Sequence, residues 1–140
     1  MREINQIICH CSNSDKENHD SLEVIREWHL DRGWDDCGYH YIITKQGPGN
    51  LRIARPISVI GAHCYGENKD SIGICLTGKE YFTEFQFLTL KKLLLNLCQI
   101  FDIHEADIYP HRNFNKNKRC PVYGLGEARS YVTENRHKRN

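Results

Sequence analysis

The sequence predicts one α/β domain with a central mixed β-sheet flanked by α-helices. Short apolar segments typical of buried strands alternate with segments of helical periodicity, and two of the strand-like segments are joined by a tight turn. No repeat, low-complexity segment or proline-rich linker divides the 140 residues. A chain of this length suits one compact domain. We therefore expect a single domain over residues 1–140, with its core at about 4–123 and a C-terminal helix and tail at 124–140.

The strands are predicted from their composition and alternation. Strand-like segments lie at residues 4–11, 39–45, 51–55, 71–77 and about 107–109. In the first of them, His10 falls on the face opposite Ile7 and Cys9, because side chains alternate along a strand. The turn at residues 46–50 is rich in glycine and proline, so the strands that flank it are expected to form an antiparallel hairpin.

Helix starts are predicted from capping signals. Asp20 with Glu23 has the spacing of a capping box, and Gly33 is expected to end that helix in a left-handed conformation. Thr83 with Gln86 repeats the box at the start of the longest helix. The core stripe of that helix is predicted at helical spacing to contain Phe87, Leu90, Leu94, Leu97 and Phe101. A last short helix is expected at residues 127–131.

Composition excludes several classes of protein. The formal net charge is +1, so no strong field favours nucleic acid or an anionic membrane as a partner. No segment has the length to span a bilayer, and the N-terminus lacks a signal-peptide pattern, so we expect the chain to be cytoplasmic where it is made. We also expect it to be a monomer. Seven cysteines without a disulfide-like rhythm are expected to be mostly buried thiols.

One set of residues has the chemistry of a catalytic metal site. His10 lies near the end of the first predicted strand, and His111 and Cys120 bracket a polar loop of eight residues that can fold back. Two imidazoles and a thiolate form a ligand set suited to one Zn²⁺ ion. Three protein ligands leave a fourth position for water, which is the arrangement of a catalytic site rather than a structural one.

Spacing alone leaves other ligand sets open. The chain has eight histidines and seven cysteines. Cys37 and His40 form a CxxH pair, and His63 is adjacent to Cys64. A structural zinc site in an unrelated domain would need a fourth protein ligand, for which Cys9 and Cys11 are the nearest candidates.

Blocks spread over most of the chain resemble a known family. In order they read IICHCS (7–12), IREWHLDRGWDDCGYHYIIT (25–44), ARP (54–56), GAHCYGENKDSIGICLTG (61–78) and HRNFNKNKRCP (111–121). Together they are similar to the type 2 N-acetylmuramoyl-L-alanine amidases, a family that includes phage amidase-type lysozymes, bacterial amidases and animal peptidoglycan recognition proteins. The resemblance runs from about residue 5 to 121.

The resemblance implies a function and a role for each matching residue. It implies a zinc hydrolase that cuts the lactyl-amide bond between N-acetylmuramic acid and L-alanine in peptidoglycan or muropeptide fragments. The implied zinc ligands are His10, His111 and Cys120; the implied catalytic residues are Tyr39 and Lys118; the implied substrate-binding residues are His63 and Asn68. The biological role would be a phage or prophage endolysin, released by a holin-type pore, or a bacterial wall-turnover enzyme.

Each of these implied roles has a simpler structural alternative. Tyr39 could be a half-buried strand aromatic, Lys118 a solvated cation in a basic loop, and Asn68 a turn residue. His40 is expected to face away from Tyr39 and to be structural.

The chain also departs from the family pattern after its two C-terminal ligand positions. Asn113 stands where the family usually has aspartate, which puts a loop-bracing contact in doubt. Residues 122–124 differ from the residues that usually follow Cys-Pro in the family, and this difference could change the wall of the groove.

A non-catalytic peptidoglycan-binding module is the main alternative function. Because Cys120 and Tyr39 are both present, the sequence favours the enzyme.

Overall fold

The computed structural model describes residues 1–137, so positions 138–140 of the predicted tail lie outside the described residues. Within residues 1–137 one five-stranded sheet has the order β3-β2-β4-β1-β5. Its strands are β1 (Gln6–Cys11), β2 (Tyr41–Ile43), β3 (Leu51–Ile53), β4 (Ser71–Leu76) and β5 (Ile108–Pro110). The β2–β3 pair is antiparallel and the other three pairs are parallel. The predicted mixed sheet in an α/β domain is therefore confirmed.

The helices in residues 1–137 are α1 (Leu22–Asp31), α2 (Glu84–Phe101) and α3 (Gly126–Asn135). The predicted capping box of α2 is present, with the Thr83 side chain accepting from the Gln86 backbone and the Gln86 side chain accepting from the Thr83 backbone. Gly33 follows α1 with a φ of 88°, the left-handed conformation that the sequence predicts.

The capping box predicted for α1 from Asp20 and Glu23 is wrong, because the N-cap lies one residue later and has a simple serine cap. Ser21 is the N-cap, and its hydroxyl accepts a hydrogen bond from the backbone N–H of Val24 at 3.1 Å. The Asp20 carboxylate instead accepts from the backbone N–H of Lys45 and from the Thr77 hydroxyl. It therefore ties the start of α1 to the ends of β2 and β4.

The two faces of the sheet carry different packing. Ile7 and Cys9 belong to the larger core, which lies under α2 and α3, whereas Ile42 and Cys75 pack with α1 on the other face. His10 faces the α1 side, as the alternation predicts. The larger core also takes in residues of α3 and the segment before it, namely Leu125, Ala128 and Val132. The last helix is thus packed into the core rather than appended to it.

The parallel strands bring two histidines to one edge of the sheet. Cys9 of β1 pairs with Pro110 of β5, so His10 and His111 follow at the carboxyl ends of adjacent parallel strands. Ligands of open α/β sheets bind beyond the carboxyl ends of the strands. None of the helices described in residues 1–137 combines the length and the apolar composition that a membrane span requires.

Two buried histidines make the stability of the fold sensitive to acid. His29 accepts a hydrogen bond at Nδ1 from the Gly38 backbone N–H, and His40 does the same from the Gly73 backbone N–H, at 2.8 and 3.0 Å. Burial lowers the pKa of each ring to about 4, with nearby arginines adding to the effect. An unfolded histidine has a pKa near ~6.5, so below that pH the unfolded chain binds more protons than the folded one.

We therefore expect metal-free protein to lose stability as the pH falls from 7 to 5.5. His29 and His40 alone account for a loss of roughly 2 kcal/mol in the free energy of unfolding over this interval. His10, His63 and His111, whose pKa values are also lowered by burial, add to that loss. Urea denaturation at several pH values measures it, and this range lies above the titration of ordinary Asp and Glu side chains. A free energy of unfolding that stays level between these pH values would contradict the neutral, buried state of both rings.

Candidate active site

A cleft of about 900 Å³ lies at the carboxyl ends of the parallel strands. Of the seven residues singled out from the sequence, six line it: Tyr39, His63, Asn68, His111, Lys118 and Cys120. His10, which is 1% exposed, is buried against its neighbours there. Segments far apart in the chain thus converge at one surface, because β1, β4 and β5 end side by side.

Two imidazole rings and a tyrosine lie in contact in this cleft. The ring centroids of His10 and His111 are 4.5 Å apart, and the Tyr39 ring is 5.0 Å from that of His10. Burial lowers the pKa of His10 well below its ordinary value, and the neighbouring His63 and His111 lower it further. Burial also lowers the pKa of His111, helped by the Lys118 ammonium. Both rings are therefore neutral near pH 7, which is the form that binds a metal.

The loop between His111 and Cys120 folds back on itself, as its sequence predicts. The backbone N–H of Arg112 donates to the Cys120 carbonyl at 2.9 Å, and the Arg112 guanidinium donates to the Pro121 carbonyl. The Cys120 sulfur accepts from the backbone N–H of Cys11 at 3.0 Å and lies 3.1 Å from the Cys11 sulfur. This contact with Cys11 and burial raise the pKa of the Cys120 thiol.

The donor set fits zinc in kind, but its three members are not assembled around one point. In residues 1–137 no group of three or more His, Cys, Asp or Glu side chains is arranged to hold a metal ion. His10 and His111 converge, whereas the Cys120 sulfur is engaged with Cys11. Neutral imidazoles and a thiol that loses its proton on coordination are the ligands that Zn²⁺ prefers.

The two residues predicted to bind substrate have contacts within the protein. His63 is 8% exposed, and its Nδ1 is hydrogen-bonded to Nε2 of His10 at 2.9 Å. The Asn68 side-chain oxygen accepts from the backbone N–H groups of His63 and Cys64, both at 2.9 Å. Asn68 thus braces the turn that carries His63 while it also lines the cleft. A contact of either residue with substrate stays a prediction.

The sequence expectation for His40 was partly wrong. Tyr39 and His40 both lie on the cleft side of the sheet, with the Tyr39 ring next to His10 and the His40 ring 5.9 Å from that of His63. Strict alternation fails because regular strand geometry begins only at Tyr41. The contacts of His40 are nevertheless structural, since Nδ1 accepts from Gly73 and Nε2 is hydrogen-bonded to the Val59 carbonyl at 2.7 Å.

Two residues that brace the site were not identified from the sequence. The Tyr123 hydroxyl donates to the backbone carbonyl of His10 at 2.8 Å, and its ring is buried in the larger core. Residues 122–124, where the chain departs from the family pattern, therefore include the tyrosine that supports β1 at His10. Val122 from the same segment lines the cleft. Arg55, which is 6% exposed, donates to the carbonyls of Cys37 and Ile60 and so joins the segments before Tyr39 and His63. The sequence marks Arg55 only as part of the ARP block (54–56) that carries the family resemblance, and no role was predicted for it.

Fold and cleft together define the class of protein: an α/β domain with an enzyme-like cleft at the carboxyl ends of its parallel strands, lined by neutral histidines, a cysteine and a tyrosine. Residues 1–123 match the protein family described as N-acetylmuramoyl-L-alanine amidase. The chain belongs to this family, the type 2 amidases, and is an enzyme of this activity.

Individual relatives agree with the family assignment. The chain is 32% identical to the endolysin of Escherichia phage T7 over 141 residues, covering 93% of this chain and 90% of the endolysin. It is 35% identical to the endolysin of Klebsiella phage KP32 over 132 residues, covering 89% and 84%. Among solved structures, N-acetylmuramoyl-L-alanine amidase LysC from Clostridium intestinale matches with a TM-score of 0.83 and 27% identity, covering 94% of this chain and 87% of that one.

Proposed function

We propose that this amidase is zinc-dependent and that it hydrolyses the lactyl-amide bond between N-acetylmuramic acid and L-alanine in peptidoglycan as a phage or prophage endolysin. The observation that carries the proposal is the convergence of His10, His111 and Tyr39 in one cleft with Lys118 and Cys120 on its walls. The phage endolysins among the relatives favour this role over bacterial wall turnover.

His10, His111 and Cys120 are the residues that would hold the ion. When bound, zinc supplies a Lewis acid that polarises the amide carbonyl and lowers the pKa of a water molecule. The protein keeps the two imidazoles neutral by burying them, so they need not lose protons to bind. Cys120 must give up its proton, so zinc affinity should rise with pH.

Tyr39 is proposed to stabilise charge on the substrate. Burial raises the pKa of its hydroxyl well above the ordinary value, so it stays a hydrogen-bond donor at every working pH. As the amide carbonyl is attacked, negative charge develops on its oxygen, and a donor already fixed in a partly desolvated cleft stabilises that charge. The Lys118 ammonium, on an exposed part of the loop beside His111, adds positive charge to the same region.

Substrate would lie in the cleft against aromatic and polar walls. Trp28 and Trp34 line it from the α1 side, and His63 and Asn68 line it beside β4. Its volume falls within the range of ordinary ligand sites, about 300–1,000 Å³.

Peptidoglycan or its muropeptide fragments are the proposed partners. A solved structure of a mutant of Drosophila peptidoglycan-recognition protein LB in complex with tracheal cytotoxin, 26% identical with a TM-score of 0.71, supports a muropeptide ligand for this fold. The monomeric state and release by lysis stay predictions.

Digestion of purified peptidoglycan tests the proposal. Zinc-loaded protein is expected to release intact stem peptides with free L-alanine amino termini, which mass spectrometry identifies. A chelator should stop the release, added zinc should restore it, and circular dichroism should show most of the fold retained throughout. If the protein binds the sacculus but releases no stem peptide, it is a non-catalytic binding module. If release continues in full after complete removal of metal, the zinc dependence is wrong.

A further inference from the structure

Behind His10 lies a chain of buried hydrogen bonds that none of the proposed catalytic steps uses. Nε2 of His10 is 2.9 Å from Nδ1 of His63, and Nε2 of His63 is 3.2 Å from the Ser71 hydroxyl. That hydroxyl lies 2.6 Å from the backbone carbonyl of Glu67. Ser71 is fully buried in β4 and does not line the cleft.

The Glu67 carbonyl, at the end of this series of hydrogen bonds, sets the direction of every hydrogen bond in the series. A backbone carbonyl only accepts, so the Ser71 hydroxyl donates its proton to Glu67. The Ser71 oxygen then accepts from Nε2–H of His63. In a neutral ring that leaves the Nδ1 of His63 as an acceptor, and it takes the Nε2–H of His10. The lone pair of His10 is therefore left on Nδ1.

Local space also holds the His63 ring in place. A methyl group on Gly73 would lie 2.6 Å from ring atoms of His63, and one on Gly61 would lie 2.8 Å from the same ring. Side-chain atoms do not approach that closely, so only glycine at both positions leaves room for the ring. Hydrogen bonds and packing thus fix the position of His63 independently of each other.

We propose that Ser71 and His63 are positioning residues that hold the proton of His10 on Nε2 and present Nδ1 as its metal-binding atom. This inference rests on the proposed role of His10 as a zinc ligand. Histidine ligands generally donate their second ring N–H to a fixed partner, which sets tautomer and orientation, and loss of that partner costs about 10–100-fold in metal affinity or activity. Here the partner is a second histidine, whose own tautomer is set by a serine.

Ser71→Ala separates this role from substrate binding, because Ser71 lies outside the cleft. Without the hydroxyl, Nε2–H of His63 has no acceptor, and a buried unsatisfied donor costs about 1–3 kcal/mol. The His63 proton should then shift towards Nδ1, from which it donates to His10 and moves the His10 proton to Nδ1. Nitrogen-15 NMR of the histidine rings in metal-free protein reads both tautomers directly.

We expect wild-type His10 to be the Nε2–H tautomer and Ser71→Ala to be about nine-tenths or more Nδ1–H, the share at which the tautomer able to bind metal becomes tenfold rarer. Zinc affinity, measured by competition with a chromophoric chelator, should fall about 10-fold or more. Ser71→Cys has nearly the same size and keeps a weak donor and acceptor, so it should fall between the two. Gly73→Ala, which displaces the His63 ring, should reproduce the loss.

Ser14→Ala is the matched control. Ser14 also pairs with a histidine, His19, at 2.7 Å, but outside the cleft. It should leave the His10 tautomer and zinc affinity unchanged. The inference is overturned if wild-type His10 carries its proton on Nδ1, or if Ser71→Ala lowers zinc affinity with no change of tautomer. Since the NMR measurement needs neither zinc nor turnover, its outcome is separate from failure of the proposed amidase mechanism.

Discussion

Cys120→Ser is expected to remove zinc binding and amidase activity together while most of the fold remains. Cys120 is the only sulfur in the proposed ligand set, and a serine hydroxyl is a poor replacement because it does not lose its proton near neutral pH. Loss of a direct ligand should cost more than the roughly 10–100-fold typical of contacts behind the ligands. Metal content, by elemental analysis, and release of stem peptides are the two measurements.

Cys64→Ser is the matched control for this variant. Cys64 is a buried cysteine that lines the same cleft, but its thiol has no part in the proposed mechanism. It should keep its zinc and its activity. Both proteins should be handled with a reductant, because the Cys11 thiol lies 3.1 Å from that of Cys120. If Cys120→Ser retains a full equivalent of zinc, the ligand assignment is wrong whatever happens to the activity.

Tyr39→Phe is expected to keep zinc and lose most of the activity. The change removes one hydroxyl and leaves the ring that packs against His10 and His29. Removing one donor to a developing oxyanion typically costs about 10²–10³-fold in kcat. The loss should appear in kcat rather than in KM, because the interaction strengthens as the substrate carbonyl is attacked.

Tyr41→Phe tests whether that loss is specific. Tyr41 is two residues further along, in β2, and it packs against the larger core on the other face of the sheet. This second tyrosine variant should retain the wild-type kcat and zinc content. A Tyr39→Phe protein that turns over at the wild-type rate would remove Tyr39 from the mechanism, although the zinc proposal would stand.

Much of the fold could be predicted because it depends on local signals. The Thr83–Gln86 capping box, the left-handed Gly33 and the hairpin turn each arise from a few neighbouring residues, and all are present. The start of α1 was misplaced because the Asp20 carboxylate binds Lys45 and Thr77, which follow β2 and β4 and are distant in the chain. Local capping preferences cannot predict a hydrogen bond to a residue that is distant in the sequence.

The candidate site could likewise be predicted only in part. Residue types and family resemblance nominated Tyr39, His63 and Lys118, and the cleft contains all three. The resemblance could not indicate that His63 contacts His10, or that the Cys120 sulfur lies against Cys11 in the metal-free chain. Those contacts depend on side-chain direction and on spacing between strands.

The order of strands and helices, the family and the candidate metal ligands could all be predicted from local pattern and residue type. Which atoms contact one another depends on how distant segments pack, and no local pattern contains that information. The direction of the hydrogen bonds from Glu67 through Ser71 to His63 depends on a backbone carbonyl that no sequence pattern marks. The support of His10 by Tyr123 likewise arises only when residues 113 positions apart are packed together.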